Sequence, residues 1–110
     1  MCIRIGTCLS VPKDRRHLST WISYDDLTQL IDIGIKHKAI HHEIVYGVSK
    51  NQKSWWDNSK AYQLGYKPKD SADQFDILSL SKNEYKDKIA LLFQGGAFTS
   101  ANFKGNIKNI

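Results

Sequence analysis

The sequence lacks several features that would each assign it a class at once. It has two cysteines, and no apolar run approaches the roughly 18 residues that a membrane-spanning helix needs. Cys2 and Cys8 fall in one extended run, where six steps of about 3.3 Å set them roughly 20 Å apart, beyond disulfide reach, so both are expected as free thiols. With neither a disulfide framework nor a signal peptide, a reducing cytoplasm is the expected compartment. A glycine-rich strand-to-helix turn is also missing. None of the seven glycines makes the spacing that brings backbone close to a pyrophosphate at a helix N-terminus, and there is no P-loop. Gly95-Gly96 reads as a turn. The local cluster His41-His42-Glu43 makes a poor chelate, because adjacent histidines on an extended segment point to opposite faces, and no metal site is expected.

What is present suits one folded unit. A chain of 110 residues supports a single modest core, and 41% hydrophobic with 25% charged residues argues against wholesale disorder. The net charge of +5 favours an anionic ligand. Basic residues such as Lys50, Lys53, Lys60, Lys67, Lys69, Lys82, Lys86 and Lys88 are scattered, with acidic residues between many of them, which reads as a solvated surface, and nucleic acid is not an expected partner.

Along the chain, residues 2 to 8 form a β-type run around Ile3 and Ile5 that starts with almost no polar lead-in, so the sequence has the look of a truncated one. Residues 9 to 20 read as a loop, with Trp21 and Ile22 leading into a helix. Ser23 and Asp26 have capping-box spacing, and Leu27, Leu30, Ile31, Ile33 and Ile35 supply an apolar face, predicting a helix over about 24 to 37. Residues 43 to 48 read as a second strand, and strand, helix, strand at these lengths predicts a right-handed βαβ crossover at the edge of a parallel sheet. A short helix over roughly 55 to 64 is predicted from Ser54 and Asp57, with Gly65 as its stop, and another is predicted from a cap at Asp70 through Phe75 and Leu78. An apolar patch from Ile89 to Phe98 follows.

Among chemistry-bearing residues, Arg15 and Arg16 stand out, since guanidinium groups on a loop can hold a carboxylate in a bidentate fork; plain solvation is the competing reading. His17 reads as a solvated side chain rather than a base, Cys8 as a packed strand cysteine, and Trp55-Trp56 as packing residues just inside a helix.

Residues 3–8 (Ile-Arg-Ile-Gly-Thr-Cys), 16–27 (beginning Arg-His-Leu-Ser-Thr-Trp), 44–49 (Ile-Val-Tyr-Gly-Val-Ser), 54–59 (Ser-Trp-Trp-Asp-Asn-Ser), 64–70 and 93–98 (Phe-Gln-Gly-Gly-Ala-Phe), in this order and spacing, resemble the C-terminal part of the uronate dehydrogenase family. These are extended short-chain dehydrogenase/reductases related to the NAD-dependent epimerases and dehydratases. The resemblance covers nearly the whole chain. It implies an α/β fold, namely the C-terminal βαβ edge of a Rossmann-like parallel sheet plus short helices of the substrate-binding side. Residues 1–110 would then be a single substrate-side segment, an incomplete domain lacking the NAD-binding portion. In the family NAD takes hydride from C1 of a hexuronate, and a Tyr-x-x-x-Lys pair with a nearby Ser handles the proton. Carried over by position, Thr7 matches a small hydroxyl residue that hydrogen-bonds the substrate, where Ser is familiar, Arg16 the arginine that grips the carboxylate, and Phe98 an aromatic close to the sugar.

The departures are as informative as the matches. The glycine-rich cofactor turn is missing, and the Tyr-x-x-x-Lys spacing occurs at Tyr46 and Lys50 only on and just after the strand expected over 43 to 48, not on a helix where the two side chains would be neighbours, so the chain is expected to carry no catalytic residue, to bind no NAD alone and to be inactive alone. A hexuronate-type sugar acid is the expected partner if the site is completed, and self-association through an exposed strand edge is a further expectation. The alternative class is a non-catalytic interaction module or a basic nucleic-acid-binding protein in which the family residues are only ancestry.

Overall fold

A computed structural model describes residues 1–75, 88–93, 96–101, 103–106 and 108. The element order is β1 (Cys2–Ile5), β2 (Thr7–Cys8), α1 (His17–Thr20), β3 (Trp21–Ile22), α2 (Tyr24–Lys36), β4 (Ile44–Gly47), α3 (Ser59–Gln63), a 3-10 turn (Ala72–Gln74), α4 (Lys88–Phe93) and α5 (Ala97–Ser100). Leu78 and the end of the helix expected there lie outside the described residues, as do Lys82, Lys86 and Gly95.

β1 and β4 pair in parallel, Cys2 opposite Ile44 and Ile5 opposite Gly47, with α2 in the connection between them. This is the predicted βαβ unit of an α/β fold. The strand expected over residues 2 to 8 is instead two, because the chain breaks at Gly6 and the second piece pairs elsewhere, Thr7 with Trp21 and Cys8 with Ile22. Gly6 allows the change of direction by close approach. A Cβ there would lie 2.7 Å from Thr20 Cβ and 2.9 Å from Trp56 Cη2. Trp21 and Ile22 lead into the helix that starts at Tyr24 as expected, but as a short strand, and the loop expected over 9 to 20 closes with the single turn α1.

α2 starts where the capping signal places it. Ser23 Oγ accepts from Asp26 N at 3.0 Å, but Asp26 does not reach back to its own cap as a reciprocal capping box would. Its buried carboxylate accepts from Ser49 Oγ (2.6 Å), Lys69 N (2.8 Å) and Asp70 N (3.2 Å), while Ser23 N donates to Ser49 Oγ at 3.0 Å. One carboxylate thus joins the start of α2, the residues after β4 and the segment leading to the 3-10 turn. The inward face of α2 carries Leu30, which packs with Ile22, Val45, Ala61 and Tyr66 into the main core. A second cluster joins Leu18, Trp21 and Ala72.

The helix expected over 55 to 64 begins only at Ser59. The reason is Asn58, whose amide mimics a strand partner for β4: Oδ1 accepts from Tyr46 N at 3.0 Å and Nδ2 donates to Tyr46 O at 2.9 Å. Trp55 and Trp56 consequently precede the helix, Trp55 exposed and Trp56 stacked on Tyr46 with ring centroids 4.9 Å apart. Gly65 ends α3 as read, at φ +100°. The cap of the following turn is Ser71, which accepts from Asp73 N, rather than Asp70, whose backbone oxygen accepts from Lys50 N instead.

Candidate functional site

Thr7 opens β2, and its side chain is buried against α1, where its Oγ1 lies 3.1 Å from Thr20 Oγ1. Thr20 Oγ1 donates to Arg16 O at 3.3 Å, so in the hydroxyl pair Thr7 is the donor and its oxygen keeps acceptor capacity for an approaching hydroxyl. The two threonines thereby tie Thr7 to the backbone at Arg16 across the sheet-to-helix junction. Arg15 is exposed and Arg16 half-buried, which separates two neighbours that sequence alone treats alike.

His17, read from sequence as solvated, is buried. Its Nδ1 accepts from Lys13 N at 2.9 Å, its backbone N donates to Asp14 Oδ1 at 3.0 Å, its Nε2 is 3.4 Å from Asp14 Oδ2, and Arg16 Nη2 lies 3.3 Å from Nε2. Burial pushes the imidazole below its ordinary pKa; Asp14 opposes that shift, and Arg16 and Lys13 reinforce it. The signal for this cluster in the sequence is Asp14 three residues before His17.

Gly96 also reaches the site. A Cβ on it would lie 3.3 Å from Arg16 Nε and 3.6 Å from Cζ. Phe98 follows two residues later in α5, with its side chain 96% exposed. The structure therefore brings Thr7, Arg16, His17 and Gly96 together, while the ring of Phe98 stands in solvent, almost uncovered by the described residues.

Other candidates fare differently. Burial raises the Cys8 thiol above its ordinary pKa, the wrong direction for a nucleophile. His41 and His42 are exposed, and among the described residues no group of three His, Cys, Asp or Glu is placed to hold a metal. Among the described residues no helix is long and apolar enough to cross a membrane.

No family model matches the chain. Individual proteins do, and the solved structures among them share this parallel α/β arrangement, which is Rossmann-like. A uronate dehydrogenase of Pseudomonas putida is 45% identical over 100 residues, which is 90% of this chain and 37% of that protein. A crystal structure of uronate dehydrogenase from Agrobacterium tumefaciens, a point mutant complexed with NAD, matches with a TM-score of 0.80 and 38% identity over 89% of this chain and 38% of the other. A glucuronic acid dehydrogenase from Chromohalobacter salexigens gives the same TM-score of 0.80 at 38% identity, again over 89% of this chain and 38% of the other. The chain is thus homologous to the uronate dehydrogenases in sequence and fold, and it spans a little over a third of the length of the relatives it matches.

That kinship makes NAD the cofactor to test against the residues present. Its pyrophosphate needs a helix N-terminus with free backbone N–H groups and no competing negative charge. At the start of α2, the one described helix longer than two turns, Ser23 Oγ takes the Asp26 N–H and the Asp26 carboxylate is buried in the first turn. The start of α2 therefore does not fit the pyrophosphate of that group.

Proposed function

We propose that this chain is the substrate-binding portion of a uronate dehydrogenase-like oxidoreductase and is inactive by itself. Arg16 grips the carboxylate of a hexuronate, Thr7 accepts a hydrogen bond from a sugar hydroxyl, and Phe98 supplies an aromatic surface to the ring once the site is completed. The cofactor-binding and proton-abstracting groups are supplied elsewhere, and the working compartment is the reducing cytoplasm. The observation that supports this reading is the link from Thr7 through Thr20 to the backbone oxygen of Arg16, which fixes a hydroxyl acceptor relative to the residue that carries the guanidinium. Homology to proteins named for uronate and glucuronic acid oxidation supports the ligand class.

The test is calorimetric titration of the purified chain with glucuronate and with glucose, its neutral counterpart. Glucuronate binds more tightly, and Arg16→Ala removes about 1.5 to 3 kcal/mol of that affinity, the range for a hydrogen bond to a charged group. Arg16→Lys restores only part, because an ammonium lacks the planar fork. Equal affinity for the two sugars would sink the reading. Mixed with glucuronate and NAD at high protein concentration, the chain yields no NADH; turnover above a heat-denatured control would mean that the catalytic groups lie within it after all.

A further inference from the structure

Arg16 touches two residues that the proposed function leaves without a task. At its tip, Nη2 lies 3.3 Å from His17 Nε2. Along its stem runs the backbone of Gly96, where a Cβ would lie 3.3 Å from Nε, 3.6 Å from Cζ and 3.7 Å from Cδ. Both neighbours are themselves held. The His17 ring is held by Lys13 N on Nδ1 at 2.9 Å and lies with Nε2 3.4 Å from Asp14 Oδ2, and the same carboxylate accepts the His17 backbone N–H on Oδ1 at 3.0 Å. Gly96 sits at φ +61° just before α5, with its carbonyl accepting from Thr99 Oγ1 at 2.8 Å.

The chemistry of the ring suits a neighbouring cation. Since Nδ1 accepts a backbone N–H, a neutral imidazole here carries its proton on Nε2, on the side of Asp14. With Nε2 and Arg16 Nη2 both donors, their 3.3 Å approach is a packing contact and not a hydrogen bond; a neutral ring tolerates it, whereas an imidazolium would repel the guanidinium. On the other flank, any side chain at position 96 would push against the guanidinium rather than against backbone. That displacement is cheap for the fold but changes where the fork points.

We propose that His17 and Gly96 are positioning residues for Arg16, the packed imidazole ring of one and the bare backbone of the other confining the guanidinium to a single aim. The proposal rests on the reading of Arg16 as the carboxylate grip, and neither residue touches the sugar; both act through the arginine.

The test is labelling with phenylglyoxal, an arginine-specific reagent, read site by site by mass spectrometry, with exposed Arg4 and Arg15 as references in the same molecule. In the unaltered chain Arg16 reacts several-fold more slowly than Arg15. In Gly96→Asn, asparagine tolerates the positive φ while its Cβ forces the contact, so Arg16 labelling rises several-fold with the thermal midpoint nearly retained. His17→Ala gives the same rise. His17→Asn, which keeps an acceptor for Lys13 N, returns part of the protection. Unchanged Arg16 labelling in Gly96→Asn, or a rise matched at Arg4 and Arg15, overturns the proposal. Glucuronate separates this idea from the one beneath it. If saturating glucuronate leaves Arg16 labelling in the unaltered chain untouched while the variants behave as stated, the carboxylate reading fails and the positioning stands.

Discussion

The Asp26 carboxylate is buried and accepts from a hydroxyl and two backbone amides drawn from two distant segments. Asp26→Ala leaves Ser49 Oγ, Lys69 N and Asp70 N short of a partner, and the expected loss is roughly 2 to 4 kcal/mol of unfolding free energy by urea titration. Asp26→Asn keeps the shape but offers one oxygen where two accepted, so it falls between. His17 gives stability a pH dependence of definite sign. Its folded pKa lies below the unfolded value of about 6.5, so the unfolded chain binds the proton more readily. The stability it contributes is complete above that value and is lost as pH falls through the lower folded pKa. Thermal midpoints measured from pH 8 to pH 5 should therefore drop in the unaltered chain and drop less in His17→Asn. Identical profiles would show that another group governs the acid limb.

At the level of elements, Gly6 and Gly65 separate two reasons for having glycine. A Cβ on Gly6 meets Thr20 and Trp56 below 3.0 Å, whereas one on Gly65 meets nothing within 4 Å and pays only for φ +100°. Gly65→Ala should cost about 1 to 2 kcal/mol, the penalty of a left-handed residue. Gly6→Ala should cost about 1 to 3 kcal/mol through overpacking and unsettle the β2–β3 pair, seen as faster amide exchange there. The elements that were legible in the sequence are those specified locally. Ser23 and Asp26 with the apolar spacing of residues 27 to 35 set α2, and the β-branched run at 44 and 45 marked β4. What was illegible depends on partners distant in sequence. β3 exists because Trp21 and Ile22 find Thr7 and Cys8, and α3 starts late because the Asn58 amide is engaged by Tyr46. The site divides the same way. Two adjacent arginines on a polar segment announced themselves, but the burial of His17 and the approach of Gly96 to Arg16 arise only when α1 and the segment before α5 have packed.

For the whole molecule, the two-stranded β1–β4 sheet leaves β1 with one partner among the described residues, and Ile5 and Ile44 are each nearly half exposed on it. Such an edge is a template for another chain. Light scattering of the purified chain should show oligomers that grow with concentration, and Ile5→Lys should shift the distribution toward monomer by placing a charge on the edge. A monodisperse monomer with a cooperative thermal transition at all concentrations would count against this.

Both described strand pairs are parallel, so neither can be closed by a hairpin. Cys2 must wait for Ile44, and that wait has a duration on the ribosome. At roughly 5 to 20 residues per second, the forty or so residues between them take about two to eight seconds to synthesise. Throughout that interval β1 is outside the ribosome or in its tunnel without β4, and α2, which packs on residues still to come, has only its local cap and spacing to hold it. Pairing of β1 with β4 is therefore delayed by seconds of synthesis, and until β4 emerges the backbone edge that it will cover stays open.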